Sequence, residues 1–136
     1  MVVNIQEILY YGRCFNGHTS NDVLWWLCRM DYSIISTDVL YSTFGFSTTE
    51  EIKECGLFIP MFQTDIISLE KQFMKDYDVA VLENIMDKRH VPYEVAFNIF
   101  VEVPIERNLR WRSFERQKLA EDAVKWCKHY GIPYKL

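Results

Sequence analysis

The 136-residue chain is predicted to be a mainly α, compact bundle of about seven helices forming a single domain over residues 1–136, with a short extended segment near residues 57–62. Three observations predict this. Apolar residues recur at helical spacing along most of the chain, and capping and stop residues bracket these stretches. Apolar residues make up 49% of the sequence against 25% charged, which is enough to build a packed core.

Asn4 followed by Glu7 gives the N-cap and N3 pattern of a first helix, in which Ile5, Ile8 and Leu9 repeat until Gly12 supplies a stop. Residues 12–20, GRCFNGHTS, are turn formers and read as a loop. Ser20 or Asn21 then caps a helix through DVLWWLCRM, although Trp25 and Trp26 cannot both face one core. Residues 31–46 admit two readings, because β-branched and aromatic side chains favour a strand while Ser36 or Thr37 offers a cap. The spacing favours a helix from Thr37. Ser47 with Glu50 forms a capping box before a helix that stops at Gly56. LFIPMF, interrupted by Pro60, is too short for a central strand and reads as an extended connector docked on the core.

Thr64 or Asp65 starts the cleanest amphipathic helix, with Ile66, Leu69, Phe73 and Tyr77 at i, i+3, i+7 and i+11. Asp78 caps VAVLENIMDKR, and Pro92 opens a helix in which Val95, Ala96, Ile99 and Phe100 share a face. Pro104 separates it from a last helix, from about Glu106 to Tyr130, ended by Gly131 and Pro133. Leu119, Ala123, Trp126, Cys127 and Tyr130 form its apolar face. Trp111 and Phe114 point well to one side, so either the helix kinks or its first half packs on a different neighbour.

Phe97 and Phe100, the W-x-x-F element Trp111 and Phe114, and the ending Trp126, Cys127, Gly131 and Ile132 resemble the C-terminal part of a small bacterial family of unknown function, uncharacterised protein family 0158. The resemblance covers the C-terminal third and implies a phenylalanine-paired helix leading into a long one. It brings no known activity.

The N-terminus MVVNIQEILYYG lacks the basic and apolar segments of a secretion signal, and every apolar run is far too short to cross a bilayer. Four cysteines, Cys14, Cys28, Cys55 and Cys127, occur without a C-x-x-C pair, which predicts reduced thiols in a cytoplasmic protein. Cys14-x-x-x-His18 and Cys127-x-His129 carry zinc-compatible groups at spacings unlike those of zinc fingers. Cys14 with His18 as base makes a third functional reading, a small cysteine-dependent enzyme, but no further residue orients the imidazole. His90, between two helices, reads as a cap or turn residue. No Gly-rich phosphate loop occurs, and the sequence predicts no catalytic residue, metal or cofactor.

Charge is unevenly placed: residues 1–102 carry 7 Lys/Arg against 15 Asp/Glu, a balance of −8, and residues 103–136 carry 8 against 4, or +4. Within RNLRWRSFERQK, residues 107–118, the side chains of Arg107, Arg110, Arg112 and Arg116 suit phosphates and Trp111 suits stacking, an alternative reading as a nucleic-acid-associated protein. Opposite charges at helix spacing, Glu106 with Arg110, Arg112 with Glu115, Lys118 with Asp122 and Glu121 with Lys125, describe a solvated helix instead.

The preferred expectation is a non-catalytic protein–protein interaction module, immunity-type or regulatory. Its 4 Trp, 8 Tyr and 9 Phe exceed what one small core readily hides. Tyr10, Tyr11, Phe15, Trp25 and Trp26 concentrate around one loop in acidic surroundings, which suits a basic protein or a second copy in a homodimer, with no membrane partner.

Overall fold

A computed structural model describes residues 1–14 and 23–136. The elements are β1 (Val3–Asn4), α1 (Ile5–Ile8), β2 (Arg13–Cys14), β3 (Trp25–Cys28), β4 (Ile34–Ser36), α2 (Thr37–Ser42), α3 (Thr49–Cys55), β5 (Phe58–Pro60), β6 (Thr64–Asp65), α4 (Ile66–Phe73), α5 (Ala80–Arg89), α6 (Tyr93–Glu102), α7 (Ile105–Tyr130) and β7 (Tyr134–Lys135). The described residues thus form one mainly α domain with seven α-helices and a small amount of strand.

Side-chain caps start several of the helices at the expected places. Asn4 Oδ1 accepts from Gln6 N, Ser36 Oγ from Val39 N and Asp65 Oδ1 from Ser68 N, whereas the N-cap of α5 is Val79, without a side-chain bond, and the expected cap Asp78, one residue earlier, accepts from Ala80 N. Before α3 the capping box sits one residue later than expected: Thr48 Oγ1 accepts from Glu51 N, and Glu51 Oε2 reaches back to Ser47 N. Gly131, at φ +67°, ends α7 while Ile132 N donates to Cys127 O. The helical turns that follow α1 end at Gly12, as expected. A Cβ there would fall inside the Phe62 ring, so the turn passes over Phe62 only because residue 12 has no side chain.

The largest departure from expectation lies at DVLWWLCRM. Trp25–Cys28 is not helical but the central strand of an antiparallel sheet ordered β4-β3-β5. The expected caps Ser20 and Asn21 lie outside the described residues. A strand resolves the conflict between the two tryptophans, because period-two alternation sends them to opposite faces. Trp25 and Leu27 meet the main core, which also holds Ile59, Ile66, Phe97 and Trp126. Trp26 and Cys28 meet a second core made with Val23, Leu40 of α2, Ile52 of α3 and Phe58. Helices α2 and α3 therefore form a lid over the far face of the sheet. Strand β5 lies at the sheet edge and ends at Pro60, as its proline requires. Residues 31–46 contain both candidate structures in sequence, a strand to Ser36 and a helix from Thr37.

On the other side, α7 is one continuous helix whose halves pack on different neighbours. Trp111 stands edge-on to Phe97 at 4.8 Å and to Phe73 at 5.4 Å, joining α7 to α6 and α4. Trp126 packs on Phe62 and donates its Nε1 proton to Pro60 O at 2.9 Å. The ring cluster also rotates α6 from its expected face: Ala96, Phe97, Phe100 and Val101 are buried, whereas Val95 is exposed. Parallel pairing of Val3 with Tyr134 ties the two ends of the described chain together.

Trp26, with no exposed surface, donates Nε1–H to Thr37 Oγ1 at 2.8 Å, and that hydroxyl donates to Val23 O at 2.6 Å. Thr37→Val preserves shape but leaves the indole N–H and the Val23 carbonyl buried without these partners. Loss of about 2 kcal/mol is expected, read as a lower denaturation midpoint at unchanged slope, with Thr37→Ser retaining most of the stability.

Candidate functional site

The lid presents an acidic surface with exposed apolar side chains. Residues 37–55 carry Asp38, Glu50, Glu51 and Glu54 against Lys53, a balance of −3. Glu51 is occupied in capping α3. Glu50 and Glu54, one helical turn apart, lie on the solvent side of α3, opposite buried Ile52. Val39, Tyr41 and Phe44 remain exposed, Phe44 by 55%. The Phe44 ring is braced from beneath: it stands edge-on to Phe58 at 6.2 Å, and Phe46 meets the same ring at 6.1 Å.

Of the aromatics expected to meet a partner, Tyr10, Tyr11 and Trp25 form one chain of ring contacts, whereas Trp26 turns to the other face of β3. Tyr10 is 70% exposed and rests edge-on to Tyr11, which in turn meets Trp25 at 4.9 Å. Tyr11 and Trp25 are half-buried. Trp26 is wholly buried, so it cannot contact a partner, and its position in the second core makes it a support of the lid. Phe15 lies outside the described residues.

The arginines of α7 divide by helical phase. Arg107 donates to Phe100 O at 2.9 Å and Val103 O at 3.2 Å, with its guanidinium 3.9 Å from the Phe100 ring centroid, which closes the C-terminal end of α6. Arg110 lies 5.5 Å from the Tyr77 ring. Arg112 and Arg116 are exposed, and Arg116 Nε donates to Gln6 Oε1 at 2.7 Å. At 100° per residue, Ile105, Leu109, Arg112 and Arg116 share the outward face, opposite buried Trp111. Ile105 and Leu109 are 61% and 58% exposed. The neighbouring acids partly find other partners than those expected. Glu115 pairs with Arg13 at 3.2 Å, Asp122 accepts from Thr64 Oγ1 at 2.6 Å, and Glu121 lies 3.6 Å from Lys118.

Cys127 is fully buried, and burial pushes its thiol up, whereas His129 is exposed with its ring edge-on to Tyr130. Burial of one and exposure of the other separate this candidate ligand pair. His18 lies outside the described residues, and with it the Cys14–His18 pair. Among the described residues no group of three or more His, Cys, Asp or Glu is arranged to hold a metal, and no helix is long and apolar enough to cross a membrane. His90 is the exposed, left-handed C-cap of α5.

Sequence reasoning missed a buried carboxyl. Glu70, on α4, is 3% exposed, and its Oε1 has no hydrogen-bond partner among the described residues. Its place four residues after Ile66 and one after Leu69 signals the buried face, but its residue type points to solvent. Burial, and then the nearby Glu94 and Glu115, push its pKa up to about 7; Asp65 adds to the rise and Arg13 opposes it. Glu115 is itself raised by burial and lowered by Arg13 and Arg112, and the Tyr93 phenol is raised by burial and by Glu70. This cluster can hold a proton at neutral pH.

No family model, curated protein or solved structure matches the chain.

A carboxyl whose folded pKa exceeds its unfolded one binds its proton more tightly when folded. Its destabilising effect is therefore absent below about 4.5, grows as pH rises, and is complete above about 7. Glu70→Gln is expected to match the parent near pH 4 and to exceed its stability by up to roughly 3 kcal/mol at pH 8. Denaturant unfolding across this range checks it; a constant difference between the two proteins would contradict it.

Proposed function

We propose that the chain is a non-catalytic cytoplasmic contact module that offers its acidic, aromatic lid to a basic polypeptide surface. The observation that carries this reading is Phe44, exposed above a small core distinct from the main one. The main helical core does not enclose that second core, which supports one layer with a charged outer surface and a braced ring. A ring held in place before binding loses little freedom when covered, and surrounding carboxylates favour and steer a Lys/Arg-bearing partner. Tyr10, braced by Tyr11, offers a second aromatic contact. The free thiols of Cys28, Cys55 and Cys127 support a reducing compartment.

The test compares affinity capture from a bacterial extract by the parent and by Glu50→Lys/Glu54→Lys. Retention of the parent's specific protein set is expected to fall roughly tenfold or more with the variant, at unchanged melting temperature and with no effect of nuclease. Equal retention by both proteins would remove the lid from the interaction. Loss on nuclease treatment would favour the nucleic-acid alternative, in which Arg107, Arg110, Arg112 and Arg116 meet phosphates.

A further inference from the structure

We infer that the basic surface taken by the lid belongs to a second copy of this chain, the outward face at the start of α7, so that copies join head to tail. The inference rests on the lid being a contact surface. The two surfaces match in chemistry and spacing. Arg112 and Arg116, one helical turn apart, are exposed on the outward face, with Val103, Ile105 and Leu109 exposed before them, while Arg107 and Arg110 turn to Phe100 and Tyr77. On the lid, exposed Phe44 is followed by Glu50 and Glu54, also one turn apart.

Side chains at i and i+4 lie about 6 Å apart on any helix. With α3 of one copy laid along α7 of another in the same direction, the two glutamates therefore meet the two arginines. Exposed Phe44 on the lid and exposed Ile105 and Leu109 on α7 supply the apolar part of the contact.

A single copy cannot make this contact with itself. Helix α2 packs on β4 and α3 on β5, while α7 packs on α1, α4 and α6, leaving the sheet between the two surfaces. Because the contact joins two different patches, each added copy leaves one lid and one α7 face open, and the assembly propagates without a fixed closing number. The overall charge of −4 opposes association, whereas the acidic body and basic C-terminal region align successive copies.

Light scattering of the purified chain at low salt, over a range of concentrations, tests the inference. The average mass is expected to climb past twice the 16.3 kDa monomer and to fall back toward it when salt is raised. Glu50→Lys/Glu54→Lys and Leu109→Asp/Arg112→Glu should each be monomeric alone. Mixed in equal amounts, they should give one-to-one pairs and nothing larger, because the first retains an intact α7 face and the second an intact lid. Should the double α7 variant melt early, Leu109→Asp alone serves in its place. A parent that stays monomeric, a parent that stops at a dimer, or folded variants that fail to pair when mixed would each overturn the inference. A monomeric parent whose protein capture still depends on Glu50 and Glu54 would overturn self-assembly while leaving the contact reading intact.

Discussion

The indole N–H of Trp26 is the constraint on which the arrangement of layers depends. It is buried with no exposed surface, and such a donor must find an acceptor or cost the fold free energy comparable to a lost hydrogen bond. Its acceptor is the hydroxyl of Thr37, the first residue of α2, which in turn donates to the carbonyl of Val23, two residues before β3. One chain of two bonds therefore joins the central strand to the helix that begins the lid. Once Trp26 is committed to that side, alternation places Trp25 and Leu27 on the other, against the helices of the main core. A sheet of three short strands thus serves two cores at once.

The legible parts of the sequence were those in which cause and effect lie within a few residues. Asn4, Ser36 and Asp65 cap where their side chains can reach, and Gly131 ends α7 where a left-handed residue is needed. The strand at Trp25–Cys28 is different in kind. Its hydrogen-bond partners are Ile34–Ser36 and Phe58–Pro60, so its conformation is decided by segments up to more than a turn's length away in sequence, and only the tension between two adjacent tryptophans hinted at it. Glu70 escaped notice because the charged groups that act on it, Glu94 of α6, Glu115 of α7 and Arg13 of β2, are not near it in sequence. The lid surface was hidden for a similar reason: whether Phe44 fills a core or faces solvent depends on how Phe58 arrives beneath it.

Helical phase explains why the basic stretch of α7 has two characters. Trp111 turns inward to Phe73 and Phe97, and the residues beside it follow that side: Arg107 closes the end of α6 and Arg110 lies over Tyr77. Ile105, Leu109, Arg112 and Arg116 take the outward phase. A count of arginines therefore overstates the basic surface, since Arg107 and Arg110 meet rings or carbonyls of this same chain and Arg116 donates to Gln6 Oε1. The same phase leaves Ile105 and Leu109 largely exposed.

The protein consequently holds negative charge in two physically different ways. Around Glu70 the carboxyls are close together and away from water, with Arg13 as the nearby cation, and the system responds by keeping a proton near neutrality. On the lid, Glu50 and Glu54 are exposed to solvent. Inward charge of the first kind weakens the fold as pH rises and projects little field. Charge of the second kind costs little to maintain and acts beyond the surface, over roughly a Debye length of about 8–10 Å at ordinary ionic strength. The exposed carboxylates, Glu50 and Glu54 among them, therefore contribute to the field outside the molecule, whereas the buried ones act through stability.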